Sequence, residues 1–155
     1  DHVDLDKDIL KIAVIERHKN THHIGLGYIQ GYGLKSGAVA TSISHDSHNI
    51  IVVGTNSADM AAAANHIVEH HGGIVVMENG EVKGEVVLEI AGIMSDRPLT
   101  EINTELEAAK TAAFDLGVSR GIDPFMTLSF MALPVIPKLR ITTRGVIDVE
   151  TQQYV

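Results

Sequence analysis

The hydrophobic residues in the first half of the chain fall into short runs separated by polar or glycine-rich segments. Two β-branched runs, at residues 9–15 and 50–53, are short enough to form buried strands. Between them, glycines recur from Gly25 to Gly37, which favours bent strand and turn over helix. Residues 38–43 are typical of a strand built from small side chains. The pattern therefore predicts mainly β-structure for this half.

Two later segments have the periodicity of an amphipathic helix. The first can be capped by Asn56 or Ser57 and closed by Gly72. Its predicted inner face consists of Met60, Ala64, Ile67, Val68 and His71. The second follows Pro98 and stops at Gly117. Its predicted inner face consists of Ile102, Leu106, Ala109, Ala113 and Leu116.

A β-hairpin is predicted at Asn79-Gly80, which separates the predicted strands 74–77 and 81–90. Asn and Gly tolerate the positive φ angles that a type I′ turn requires. The parsimonious fold is α+β, a single domain with a mixed β-sheet, two main helices and this hairpin. Residues 1–8 are interpreted as a polar lead-in or linker from a preceding domain, and residues 9–155 as the domain itself.

The C-terminal part of the chain is the most apolar. Residues 125–135 are almost wholly hydrophobic and are expected to be buried, with Pro134 and Pro137 preventing one long helix. Residues 139–143 and 146–149 predict a closing hairpin or strand pair.

Charge and composition exclude several classes of protein. The 12 basic and 20 acidic residues give a net charge of -8, which disfavours nucleic acid and anionic membranes as partners. With no cysteine, the chain has no disulfide and no thiolate metal site, so histidine and carboxylates are the available ligands. No apolar run is long enough to span a bilayer, and the acidic N-terminal residues do not resemble a signal peptide, so a cytoplasmic location is expected.

The densest cluster of reactive side chains is the polar segment between the third and fourth predicted strands, which contains His45, Asp46, His48 and Asn49. Two imidazoles with a carboxylate between them could bind a divalent metal or form a general acid/base pair. Asp and Asn could equally well cap backbone groups in an ordinary turn. Both interpretations remain open at the level of the residues alone.

The other histidines are weaker candidates. His22 and His23 are adjacent and cannot easily coordinate one ion together. His66 and His70 are one helical turn apart, but they lack the H-E-x-x-H arrangement of a zinc protease and are interpreted as solvent-facing. No metal ligand is therefore assigned from spacing. The glycines at 25–33 also lack the spacing of a dinucleotide-binding motif.

Several long blocks carry a family resemblance. They are IAVIERH at 12–18, IGLGYIQGYGLKSGA at 24–38, SHDSHNIIVVGTN at 44–56, GGIVV at 72–76 and DPFMTLSFMALPVIPKLRIT at 123–142. In this order they resemble the C-terminal domain of bacterial-type adenine deaminases, members of the metal-dependent amidohydrolase superfamily. The resemblance implies hydrolysis of adenine to hypoxanthine and ammonia, by a metal-bound hydroxide in a binuclear manganese or iron centre.

The resemblance implies an accessory role for this chain. The family's metal ligands include a His-x-His pair on a barrel strand, and this chain contains no His-x-His and is shorter than a (β/α)₈ barrel. No cofactor or metal is therefore expected in this domain, and the isolated chain is expected to be inactive. Its expected partner is the amidohydrolase barrel of the same protein, with adenine as the substrate of the whole enzyme, and self-association into a homo-oligomer is left open.

The segment with His45, Asp46, His48 and Asn49 matches a hallmark block of that domain and is expected to face the barrel. The alternative is a free-standing module in which His45 and His48 bind a metal or a small molecule without catalysis. A self-sufficient His/Asp metallohydrolase is the least supported reading, because its ligand set is undefined.

Overall fold

Nine strands and three helices make up the chain in the computed structural model, which describes residues 3–155. In chain order they are β1 (Ile9–Ile15), β2 (Ile24–Gln30), β3 (Ala38–Thr41), β4 (Ile50–Gly54), α1 (Ser57–Glu69), β5 (Gly73–Glu78), β6 (Glu81–Val87), α2 (Leu99–Asp115), α3 (Pro124–Met131), β7 (Leu139–Thr142), β8 (Gly145–Asp148) and β9 (Gln153–Tyr154). The single-domain α+β prediction is confirmed. Among these residues no helix is both long and apolar enough to cross a bilayer.

The central sheet has the strand order β2-β1-β4-β3-β5-β6, and every neighbouring pair is antiparallel. The sequence predicted a mixed sheet, and β4 and β5, which α1 connects, do run in the same direction. That crossover places β5 beside β3, so β3 separates β4 from β5 and pairs with both in antiparallel register. β4 and β5 thus run parallel to each other but are not neighbours, so the described sheet has no parallel strand pair.

Helices cover both faces of this sheet, and in β1 and β3 residue size differs between the faces. On the α1 side these strands present Ala13, Ala38 and Ala40, which pack with Met60 and Ala63 beside larger residues of the neighbouring strands such as Ile50. The opposite side presents larger aliphatic side chains to α2 and α3, namely Ile12, Val14, Val39, Ile51 and Val53. Successive strand residues point to opposite faces, so alternate positions along each strand contribute to two separate cores.

A small sheet of order β7-β8-β9 packs on β2. Two glycines of β2 allow this close approach. A Cβ on Gly25 would overlap the carbonyl oxygen of Thr142, and one on Gly27 would lie 2.9 Å from Cγ2 of Val146. The predicted C-terminal strand pair is confirmed as β7 and β8, with the additional short strand β9.

The predicted hairpin is confirmed at Asn79 and Gly80, whose φ angles of 53° and 76° fit the turn. The second strand ends at Val87, earlier than predicted, because the backbone then turns so that Ile90 bridges to Met94. The apolar tail contains a third helix, α3, which Pro124 begins and Asp123 caps with its side chain. Two of its residues, Met126 and Phe130, remain exposed, so the tail is less buried than expected.

Both predicted main helices are confirmed, with one correction to the inner face of α1. Met60, Ala64 and Ile67 are buried as predicted. Val68 is 58% exposed, because at about 100° per residue it lies at the edge of the apolar stripe. His71 is exposed because α1 ends at Glu69, before the next turn could carry His71 inward.

The predicted lead-in forms a tight turn where it is described. The backbone groups of Asp4 and Ile9 exchange hydrogen bonds of 2.9 and 2.8 Å, and Lys7 pairs with the Asp4 carboxylate at 3.0 Å. Residues 1 and 2 of the lead-in lie outside the described residues. Its interpretation as a linker from a preceding domain stays a prediction.

Candidate functional site

The four residues singled out from the sequence lie in the connection between β3 and β4. We call residues 44–49 the β3–β4 loop. His45 and His48 are half-buried, Asp46 is exposed, and Asn49 is 8% exposed. The structure therefore brings the predicted residues together at one end of the central sheet, with side chains that reach both the interior and the surface.

Backbone hydrogen bonds fix the shape of this loop. The His48 amide donates to the Ser44 carbonyl at 2.6 Å, and the Ser44 amide donates to Nδ1 of His48 at 3.3 Å. The His45 amide donates to the carbonyl of Ser129 on α3 at 3.2 Å. Because Nδ1 of His48 accepts a hydrogen bond, the neutral ring carries its proton on Nε2. His48 thus offers a donor at the far side of its ring.

Arg17, two residues after the end of β1, makes the main long-range hydrogen bonds to the loop. Its Nε donates to the His48 carbonyl at 2.6 Å, and its Nη2 donates to the Ala91 carbonyl at 2.7 Å. Its backbone amide donates to Oδ1 of Asn49 at 3.2 Å, and Nδ2 of Asn49 donates to Oγ of Ser47 at 3.0 Å. Asn49 is therefore a structural residue of the loop, with both ends of its amide engaged.

Aromatic contacts orient the two imidazoles. The rings of His45 and His48 are 5.4 Å apart at 63°, and His45 stacks on Phe130 of α3 with a centroid distance of 5.6 Å and an angle of 20°. Burial lowers the pKa of His48, and the nearby His45 and Arg17 lower it further, while Asp46 opposes the shift. His48 is consequently held as a neutral imidazole near pH 7.

Two open clefts lie near the loop, and loop residues line the second of them. One, of about 690 Å³, is lined by residues 15–20 together with parts of α1 and Ala91. The other, of about 310 Å³, lies between Asp46, Ser47 and Asn49 on one side and residues near Pro134 and Thr142 on the other. Asp46 and Ser47 of the loop are exposed and line this second cleft.

Glu16 lines the larger cleft but has a structural role. Its carboxylate accepts hydrogen bonds from the backbone amides of His18, Lys19 and Thr21 and from the Thr21 hydroxyl. The amide of Thr21 makes the largest contribution to lowering the pKa of Glu16 to about 2. A carboxylate so weakly basic organises the 16–21 turn and is a poor proton acceptor.

Two buried hydroxyls next to the loop have no hydrogen-bond partner among the described residues, namely those of Ser44 and Ser129. Both residues are fully buried. The neighbouring Ser42 differs, because its hydroxyl donates to the Gly92 carbonyl and accepts from the Gly73 amide at 2.8 Å. Buried polar groups are usually paired, so two adjacent exceptions mark this end of the sheet as unusual.

The β3–β4 loop does not gather a metal ligand set. Within residues 3–155, the group of three side chains whose ligand atoms converge consists of His66, Glu69 and His70 on α1. His45, Asp46 and His48 do not form such a group. The loop alone therefore does not present the three or four converging ligands that a metal centre requires, and the expectation that this domain holds no metal stays a prediction.

Arg17 and Phe130 are functional candidates that the sequence interpretation did not single out. In the sequence, Arg17 is one member of a charged cluster after a strand, and Phe130 is one of many apolar residues in the tail. Their places beside His45 and His48 depend on tertiary packing of β1 and α3 against the loop. No local pattern indicates either contact.

The family model and the relatives that match this chain are all described as adenine deaminase. A family model described as "Adenine deaminase C-terminal domain" matches residues 1–153. A protein of Bacillus subtilis named adenine deaminase is 49% identical over 152 residues, which cover 98% of this chain and 26% of that protein. Proteins of the same name from Brucella anthropi and Desulfatibacillum aliphaticivorans are 50% and 49% identical over the same length. The chain spans about a quarter of the length of these curated relatives.

Proposed function

The chain belongs to the adenine deaminase C-terminal domain family, and on that premise we propose that it serves an adenine deaminase as a domain that supports or caps a catalytic amidohydrolase barrel. The reaction of the whole protein would be the hydrolysis of adenine to hypoxanthine and ammonia. The observation that carries this proposal is the coverage, in which 98% of the chain matches only 26% of relatives named adenine deaminase. Most of the length of those relatives is therefore available for a separate catalytic domain.

The manganese or iron of the proposed enzyme would be held by that other domain. The chain has no His-x-His pair, and the β3–β4 loop does not bring three ligands together among the described residues. The loop instead offers hydrogen-bonding groups of defined geometry. These are the exposed carboxylate of Asp46 and the Nε2 proton of a neutral His48.

We propose that the loop forms hydrogen bonds at the interface between this domain and the barrel. His45 is oriented by Phe130, and the backbone around His48 is held by Arg17 and Ser44, so both rings have fixed positions without using their outer edges. Such rings can hydrogen-bond to a purine or to residues that contact it, which favours positioning over proton transfer.

The test uses the intact protein that carries this chain, assayed for conversion of adenine to hypoxanthine by absorbance. His45→Ala and His48→Ala are expected to lower kcat/KM while thermal unfolding shows an intact fold. His22→Ala and His23→Ala, which remove exposed imidazoles from the loop before β2, are matched controls and are expected to leave kcat/KM unchanged.

Two results would count against different parts of the proposal. Unchanged kcat/KM in both His45→Ala and His48→Ala would exclude the role of the loop while leaving the enzyme assignment intact. An intact, metal-loaded protein that does not turn over adenine would exclude the enzyme assignment itself.

A second candidate is a free-standing binding module, which the 690 Å³ cleft beside Arg17 favours. Calorimetric titration of the 155-residue chain with adenine separates the two. Saturable adenine binding by the isolated chain would support the module, and its absence would support the accessory domain. Turnover of adenine by the isolated chain with Mn²⁺ would contradict both.

A further inference from the structure

We propose that α1 carries a binding site for a divalent transition-metal ion, formed by His66, Glu69 and His70. Each of these residues offers one ligand atom, and the three atoms lie within 4.8 Å of one another. His66 and His70 are four residues apart, so they lie on the same side of the helix. Their ring centroids are 4.2 Å apart. The site is distinct from the β3–β4 loop and does not depend on the proposed enzyme function.

Hydrogen bonds set both imidazoles in a state that can bind a metal. Nε2 of His66 lies 2.6 Å from Oε2 of Glu85, and a carboxylate accepts, so Nε2 carries the proton of the neutral ring. Nδ1 of His70 lies 2.9 Å from the His66 carbonyl, which also accepts, so Nδ1 carries the proton there. Each neutral ring therefore keeps one nitrogen with a free lone pair, as a ligand requires.

Glu85 acts as an outer partner of the site. It lies on β6, which pairs with β5 alone among the described strands, whereas His66 lies on α1. A metal-bound histidine commonly donates its other N–H to a carboxylate, which orients the ring and raises its basicity. Glu85 and His66 already have this arrangement. A bound ion would therefore strengthen the contact between α1 and the edge strand β6.

The ligand set indicates which ions fit. Two imidazoles and one carboxylate suit zinc, copper, nickel or cobalt, whereas magnesium and calcium prefer sites made of oxygen. Ligands of a tetrahedral zinc ion lie about 3.3 Å apart. The three ligand atoms, which lie within 4.8 Å of one another, would have to move closer together on binding, and water would complete the coordination. The net charge of -8 also favours cation binding over anion binding.

The experiment is a calorimetric titration of the metal-free 155-residue chain with Zn²⁺, repeated with Co²⁺ while its visible absorption is recorded. One saturable ion per chain is expected. His66→Ala and His70→Ala are each expected to abolish saturable binding. Glu85→Gln is expected to weaken it by about tenfold, because it removes an outer partner and leaves the ligands in place.

Two further variants keep the result interpretable. Glu69→Gln retains side-chain size on the helix surface and should weaken binding even if either alanine variant were to unfold. The double variant His22→Ala/His23→Ala also removes two exposed histidines, but these are adjacent rather than one helical turn apart. It should bind Zn²⁺ as the unaltered chain does.

The proposal is overturned if the unaltered chain shows no saturable Zn²⁺ binding. It is equally overturned if folded His66→Ala and His70→Ala chains bind as tightly as the unaltered one, or if the His22→Ala/His23→Ala control loses binding. Circular dichroism of each metal-free variant establishes that it is folded.

Discussion

Two histidine pairs whose rings lie close together have nearly the same spacing in the sequence, and different contacts hold them in place. His45 and His48 lie in the β3–β4 loop, which is held from outside by Arg17 and by the carbonyl of Ser129. His66 and His70 lie on α1, where the helix itself places both rings on one side. Spacing in the sequence does not distinguish the two pairs, because their difference lies in where the supporting contacts come from.

This difference has an energetic consequence. The geometry of the loop pair depends on residues far away in the chain, so loss of a distant partner should reduce the stability of the protein. The helix pair depends on local backbone geometry, so changes around it should alter metal binding with little effect on the free energy of unfolding. The following substitutions test this contrast.

The largest effect is expected for Arg17→Met. Methionine keeps much of the apolar stem but removes the donors to the carbonyls of His48 and Ala91. The free energy of unfolding should fall by about 2 kcal/mol, since hydrogen bonds from charged groups contribute about 1.5–3 kcal/mol each and solvent partly replaces these. Urea unfolding at pH 7 measures this change in the free energy of unfolding. The matched control is the exposed Arg144→Met, which should change stability by less than about 0.5 kcal/mol.

If Arg17→Met and Arg144→Met unfold at the same urea concentration, Arg17 does not hold the loop. The geometry of the loop pair would then not depend on this distant residue, and the proposed contrast with the helix pair would be wrong.

The next largest effect on stability is expected for one of two buried serines, Ser42 and Ser44. Ser42→Ala removes a hydroxyl that bonds to the backbone of Gly73 and Gly92, and it should lower the free energy of unfolding by about 1–2 kcal/mol. Ser44→Ala removes a hydroxyl with no partner among the described residues and should be neutral or slightly stabilising. Thermal unfolding of the two variants side by side measures the difference. Equal losses of stability would show that the Ser44 hydroxyl is paired.

A smaller effect is expected for Glu85→Gln in the absence of metal. The side chains of His66 and Glu85 are 20% and 41% exposed, and pairs of this kind contribute about 0–1 kcal/mol. The free energy of unfolding should therefore change much less than in Arg17→Met. Glu81→Gln, which removes the exposed partner of Lys83 on the same strand, is the control. A loss as large as that of Arg17→Met would mean that α1 also depends on distant contacts.

The smallest effect is a pH dependence that arises from His48. Its pKa is lowered in the folded protein, chiefly by burial, so the unfolded chain binds the proton more tightly. Neutral His48 therefore favours folding above the ordinary histidine pKa of about 6.5, and this contribution is lost as the pH falls through the lower folded pKa. The melting temperature measured from pH 7 to pH 5 should fall less steeply for His48→Gln than for the unaltered chain. His23→Gln should keep the original slope.

Local patterns were sufficient to predict most helices and strands. Asn79 and Gly80 predicted their hairpin because the turn chemistry is local, and the inner face of α2 followed from helical periodicity. The order of strands could not be predicted in this way. After α1 the chain could place β5 beside β4 or beside β3. The structure has it beside β3, and this choice depends on packing across the whole sheet, which no local pattern contains.

The same reasoning separates the predictable and unpredictable parts of the site. The polar composition of residues 44–49 indicated a candidate loop, and the structure brings its residues together. Arg17 and Phe130 reach that loop from β1 and α3, so no spacing rule could indicate them. On α1 the spacing of His66 and His70 was visible, but the contribution of Glu85 required the register between α1 and β6.

The arrangement of strands also determines the order in which the loop can be completed during folding. β3 and β4 are consecutive in the chain, and closing a short connection between them loses little chain entropy. The contacts from Arg17 and Ser129 span about 30 and about 80 residues of sequence, so they form only when β1 and α3 dock on that pair. A folding intermediate with β3 and β4 already paired would thus contain the loop without its final geometry. We therefore expect the final geometry of the candidate site to form late in folding.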